Sequence, residues 1–341
     1  MMRIPTIHQT DIFHPHADPD DHWDLACQFA LSFVGRTQLK GILIDDPPYV
    51  FGCGDPAAEA VAQLNHLTGQ CVPFAVGIPS PYPNDPEAST DNGGIKMILK
   101  LLEEAKEKTV IHIVGSCRDV AIAGMISPDL FRDKCRAIYL NAGSAFSDAD
   151  TLEYNVQLDP LAYHRIFNIP CPIFWMPCFE DKTSFRTSRF GTYYNFMQKD
   201  ILDHLSSGLA QYFVYALEKI RDKGWLSHIR SLPETDSLER CGSMIRNMWC
   251  TGGFLHAAGL GVSTSGETVD YAEESSDLVF RFLPVSLSCS ESGIVEWREI
   301  EKSPGNHEDP LQPERYIFAV ESTEAYPAAM TKAMRDLLSM I

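Results

Sequence analysis

No apolar run in these 341 residues approaches the roughly 18 needed for a membrane-spanning helix, so membrane association is not expected. Basic side chains are scarce: 28 Lys and Arg stand against 46 Asp and Glu, a net charge of −18. That balance argues against nucleic acid as a partner, because a phosphate backbone needs clustered cations. The ten cysteines include no CxxC pair and no regular spacing, so neither a disulfide framework nor a zinc knuckle is indicated. Reduced thiols in a cytoplasm fit better, and the polar His8 and Asp11 come too early for a signal peptide. A GxSxG elbow is missing, as is a Cys/His dyad, which leaves a nucleophilic hydrolase unsupported. Gly52-Cys53-Gly54 lacks the further glycine of a dinucleotide-binding turn.

What the chain does have is acid, concentrated early. Thr10-Asp11-Ile12-Phe13-His14-Pro15-His16-Ala17-Asp18-Pro19-Asp20-Asp21 follows an apolar approach through Ile4 and Ile7. Two prolines stiffen the loop that brings Asp18, Asp20 and Asp21 to the start of a helix. Carboxylates this close repel one another unless water or a cation neutralises them. Hard oxygen donors suit Ca²⁺ or Mg²⁺ better than zinc. A plainer reading makes Asp20 or Asp21 a helix cap.

Strand-like and helical stretches alternate through the first half. Strands are expected over 1–11, 39–45, 71–76, 109–114, 135–140 and 172–175. Helices are expected over 21–34, 55–67, 95–107, 119–125 and 160–167. Single helices between strands predict a mostly parallel sheet with helices on both faces, hence an α/β fold. The chemistry of such sheets gathers at the carboxyl ends of the strands. Asp11, Asp45, Gly115-Ser116 and Asn141 all fall at expected strand ends.

After Met176 the pattern turns helical, over 195–205, 209–223 and 237–248, with Gly252-Gly253 breaking the chain. Late strands are expected over 278–287, 293–297 and 316–320, then a charged loop over 303–313 and a final helix over 324–340. A single domain over 1–341 accommodates this: parallel βα units over 1–177, a helical elaboration over 178–260, and late strands with the final helix over 261–341. Asp159 reads as a helix cap with Pro160 behind it. Glu153 and Asn155 are suited to holding sugar hydroxyls, and His256 lies among apolar and small residues. The loop from Tyr82 to Gly94 reads as a surface connection or a flap.

Assembled, these segments resemble the inosine–uridine-preferring nucleoside hydrolase family. Its Asp-Ile-Gly-Asn-Asp-x-Asp-Asp variant matches Asp11-Ile12 and Asp18-Pro19-Asp20-Asp21, with an insertion. Its Gly-Pro-Leu-Thr-Asn turn corresponds to Gly115-Ser116-Cys117-Arg118-Asp119, and its Met-Gly-Gly segment to Asn141-Ala142-Gly143. Its Glu-Phe-Asn…Asp-Pro-Glu-Ala is similar to Glu153-Tyr154-Asn155…Asp159-Pro160-Leu161-Ala162.

The resemblance implies hydrolysis of the N-glycosidic bond of a ribosyl compound by a calcium-bound water. It implies Asp11 as base and metal ligand, and Asp21 and the backbone of Arg118 as further ligands. Asp20, Asn141, Glu153 and Asn155 would bind substrate, and His256 would serve the leaving group. It also implies a homodimer or homotetramer. Gln9 replaces the first Asp of the family's opening triplet, and Ala257 stands where a calcium-binding Asp is expected. His14, His16, Asp18 or Asp45 would then have to substitute. Two rival readings are a metallohydrolase using His14, His16 and Asp18 on Zn²⁺ or Mn²⁺, and a non-catalytic nucleoside- or sugar-binding descendant.

Overall fold

The computed structural model describes residues 3–14, 18–45, 55–79, 81–146, 152–181, 184–222, 224–273, 275–301 and 314–341. Pro15, His16, Gly52-Cys53-Gly54 and the loop expected over 303–313 lie outside them. The main sheet contains β1 (Ile4–Thr10), β2 (Thr37–Ile44), β3 (Phe74–Val76), β4 (Thr109–Ile113), β5 (Cys135–Asn141), β6 (Ile173–Met176), β7 (Phe280–Cys289), β8 (Val295–Glu299) and β9 (Arg315–Val320). Its order is β3-β2-β1-β4-β5-β6-β9-β7-β8. The strands from β3 to β9 run parallel. β7 is antiparallel to β9, and β8 to β7. This is the mostly parallel α/β sheet expected.

Twelve helices occur among the described residues: α1 (Pro19–Phe33), α2 (Ala58–Thr68), α3 (Gly93–Glu103), α4 (Arg118–Ile126), α5 (Pro128–Lys134), α6 (Tyr154–Leu158), α7 (Pro160–Ile166), α8 (Lys199–Leu202), α9 (Ser207–Leu217), α10 (Thr235–Gly242), α11 (Thr251–Ala257) and α12 (Tyr326–Leu338). Buried side chains divide by strand alternation. Leu39, Val110, Ala137, Tyr139 and Phe318 join Phe29, Val61, Phe213, Phe254 and Met334 on one face. Leu43, Ile111, Ile113, Ile138 and Trp175 meet Ile98, Val120, Phe131 and Ile166 on the other. The sheet is thus covered on both sides, as its continuous apolar strands require. No helix among the described residues is long and apolar enough to cross a membrane.

The second half departs from expectation in two places. Residues 195–205 and 237–248 are not continuous helices. Tyr194–Met197 and Ile245–Met248 pair as an antiparallel ribbon, leaving only α8 and α10 helical. Pairing between distant segments overrides their local helical pattern. Gly252-Gly253 does not break the chain but lies inside α11. A Cβ on Gly252 would sit 2.9 Å from Phe318, and Gly253 is pressed against Met176 and Tyr139. Both glycines let the helix approach the sheet closely.

Candidate active site at the strand ends

From β1 the chain moves outward to β2 and β3, then returns to the other side of β1 to form β4. The reversal opens a crevice at the carboxyl ends of β1 and β4, where parallel sheets place their ligands. Asp11 leaves β1 and Gly115-Ser116 leave β4 at that point. Gly115 is obligatory there: a Cβ would lie 2.7 Å from Asp45 Oδ2 and 2.9 Å from Asp11 Oδ1.

Opposite stands the first turn of α1. Pro19 opens the helix, and Asp18 occupies the cap position without bonding a backbone N–H. Its carboxylate is therefore not spent on capping. One carboxylate oxygen each from Asp11, Asp18 and Asp21 lie within 4.8 Å of one another, a spacing suited to a divalent cation. Burial, then the charges of Asp21, Asp18 and Asp45, raises the Asp11 pKa well above its usual range. Asp21 is raised by burial and by Asp18, Asp20 and Asp24, while a hydrogen bond from Thr10 Oγ1 opposes the shift. Asp20, partly buried beside them, is raised by burial and by Asp18, with Arg246 opposing. Mutual repulsion of this kind is what a bound cation relieves.

Asp45 belongs to the frame of this pocket. Its Oδ1 accepts from Gln9 Nε2 at 2.7 Å and its Oδ2 from the Ser116 amide at 2.6 Å. Gln9 also donates to the Ser116 carbonyl. Gln9 and Asp45 thereby tie β1, β2 and the β4 turn together, with one donor on each Asp45 oxygen.

Of the residues expected to hold sugar, Glu153, Asn155 and Asn141 each also make hydrogen bonds within the protein. Glu153 caps α6, accepting from the amides of Gly143 at 2.8 Å and Asn155 at 3.0 Å. Asn155 Nδ2 donates to the carbonyls of Val114 and Asn141. Asn141 Nδ2 reaches Met176 O at 2.9 Å and Thr192 Oγ1 at 3.1 Å, and its Oδ1 receives the Cys250 thiol at 3.1 Å. The Arg118 side chain turns away from the carboxylates to Asp159, Ile78 O and Leu158 O. Asp159 caps α7 as expected, its Oδ1 accepting from Ala162 N at 3.0 Å.

His256 is not brought to the cluster. It lies on α11, its Nδ1 2.7 Å from Tyr139 OH and its ring packed by Phe174, Tyr271 and Phe282. Burial pushes its pKa down to about 4. Cys250, the residue just before α11, contacts Asn141 and Asp24 instead, a position hidden when Gly252-Gly253 is read as a break. Only the backbone of His14 is described, pairing with Asp55.

Four groups here escaped the sequence reading. Asp24 follows Asp20 and Asp21 by one helical turn, a spacing that could have revealed it. It is fully buried, and burial first and Asp18 second push its pKa up to about 8 against a contact from Cys250. Tyr154 feels the cluster's charge, its phenol pushed up to about 12 by burial and then by Asp11, Asp18, Asp45 and Glu153. Trp249 joins Phe179, Phe185 and Tyr193 in an aromatic wall beside Cys178 and Cys250. Arg246 brings a cation to Asp20 and Asp18.

The fold has clear relatives. A purine-preferring ribonucleoside hydrolase from Gardnerella vaginalis superposes with a TM-score of 0.56 at 11% identity, over 99% of this chain and 100% of its own. The chain carries the nucleoside hydrolase fold. A plant nucleoside hydrolase matches with a TM-score of 0.54 at 14% identity, over 97% of this chain and 98% of its own. The type III effector protein XopQ, solved with adenosine diphosphate ribose, matches at 0.56 and 13% identity, over 99% and 95%. No protein-family model and no curated protein sequence matches the chain. Within the nucleoside hydrolase fold, the acidic crevice lies at the topological switch between β1 and β4.

Proposed function

We propose that the protein hydrolyses the N-glycosidic bond of a ribosyl compound. The carrying observation is the Asp11, Asp18 and Asp21 triad, its oxygens within 4.8 Å, at the switch point of a nucleoside hydrolase sheet. The donor set is all oxygen, which favours calcium. Asp11, Asp18 and Asp21 would hold the ion, and the Arg118 backbone carbonyl would be a further donor. Asp18 supplies the carboxylate that Ala257 does not.

When bound, the cation lowers the pKa of a coordinated water. Asp11 would take up the proton of the water that attacks the anomeric carbon. Asp20, at the edge of the triad, accepts from ribose hydroxyls and fixes the sugar against the base. The transition state has oxocarbenium character, so the surrounding carboxylates favour it over the neutral ground state. The aromatic wall of Trp249, Phe179, Phe185 and Tyr193 faces the leaving group, in place of His256.

Asp11→Ala and Asp21→Ala test this reading together. Each should abolish release of the base while circular dichroism and gel filtration stay unchanged; turnover retained in both variants would refute the assignment. A binding role without catalysis is the second reading. It is favoured by Cys250, a thiol rather than a carboxylate where α11 meets the pocket, and by the internal hydrogen bonds of Glu153, Asn141 and Asn155. It predicts that ribose or a nucleoside raises the melting temperature with no base released.

A further inference from the structure

Two cations act on the acidic crevice, and they are held very differently. Arg118 is fully engaged: Nε bonds Asp159 at 2.9 Å, Nη1 bonds Ile78 O, and Nη2 bonds Leu158 O. Arg246 projects from the strand Ile245–Met248, which pairs with Tyr194–Met197 and packs on α1. Among the described residues only its Nε is bonded, to Gln198 Oε1 at 3.1 Å. Gln198 is itself fully buried and anchored through Nε2 to Cys241 O at 2.7 Å, so the fork is aimed from a fixed base. Its charge reaches Asp20 and Asp18, yet neither carboxylate forms an ion pair with it.

We infer that Arg246 receives an anionic substituent of the substrate, so that the pocket takes a phosphorylated riboside in preference to a neutral nucleoside. This rests on the ribosyl reading above. With Asp18 on the metal and Asp20 on ribose hydroxyls, Arg246, on a strand packed against the same helix, would lie within reach of a substituent on the bound ligand. The Nη groups of Arg246 are not sealed from solvent, so a ligand can exchange their water for its own oxygens, and phosphate matches the guanidinium fork in a bidentate, charge-assisted pair. Glu153 and the amide nitrogens of Asn141 and Asn155 are already engaged inside the protein, and none of them carries a positive charge to compete with Arg246 for an anion. A phosphate monoester and a pyrophosphate present the same oxygens to Arg246, and the assay separates them.

Calorimetric titration of the calcium-loaded protein with ribose, ribose 5-phosphate and a nucleoside 5′-diphosphate tests the inference without requiring turnover. At least one phosphorylated probe should bind tenfold or more tightly than ribose, and the tighter of the two identifies the monoester or the pyrophosphate as the preferred group. Arg246→Gln should erase that preference while leaving calcium uptake and ribose affinity unchanged, and Arg246→Lys should recover part of it. Equal binding of ribose and both phosphorylated probes, or a preference that survives Arg246→Gln, would overturn the inference alone. Binding of none of the three would overturn the ribosyl reading and this inference with it.

Discussion

Asp21 is restrained by Thr10 on one side and repelled by Asp18, Asp20 and Asp24 on the other. Replacing it with Asn keeps a hydrogen-bonding group of the same shape but removes one of the crowded charges. Asp21→Asn should therefore stabilise the metal-free protein, raising its melting temperature by about 2 °C, while cutting base release by roughly 10³-fold. Differential scanning calorimetry with chelator, paired with an assay in calcium, reads both effects. Such a trade-off marks a site whose charges are kept for function. His256 should behave oppositely. His256→Ala leaves a hole among Phe174, Tyr271 and Phe282 and removes the partner of Tyr139, so stability falls by roughly 2–4 kcal/mol while base release is unaffected. Urea unfolding and the same assay check this pair.

At the scale of elements, the carboxyl ends of β1, β2 and β4 form one unit through Gln9, Asp45, Gly115 and Ser116. Gly115→Ala would place a methyl 2.7 Å from Asp45 Oδ2 and 2.9 Å from Asp11 Oδ1. Calcium affinity should fall at least tenfold by calorimetry even where the variant folds. Much of this was legible in the sequence, because parallel strands flanked by single helices carry a simple pattern and their ends can be counted. Asp11, Asp18 and Asp21 could be read as a cluster because one short loop and one helix turn join them. Arg246 could not, since it comes to Asp18 and Asp20 through an antiparallel ribbon between segments some fifty residues apart, which local periodicity read as helix. The satisfied state of Glu153 and Asn141 was equally hidden, because a residue type announces what it can bind and not what it already does.

For the molecule as a whole, two sets of buried groups give stability opposite pH dependences. His8 and His256 are pushed down to about 3 and about 4 from 6.5, so their contribution is present above 6.5 and lost as pH falls through those values. Asp24 and Asp45 are pushed up to about 8 from 3.8, so theirs is full below 3.8 and lost as pH rises through 8. From about pH 7 to pH 9 the carboxyls dominate, and the melting temperature of metal-free protein should fall. Saturating calcium should flatten that slope, because ionised carboxylates are then the bound form. Melting curves at two calcium levels across this range check it. Release of phenol from an activated aryl riboside asks whether the acidic crevice cleaves a ribosyl bond with a cation's help. Release that requires calcium, stops with excess chelator and resumes when calcium is restored is the predicted result. No release from calcium-saturated protein, or release indifferent to chelator, would contradict it.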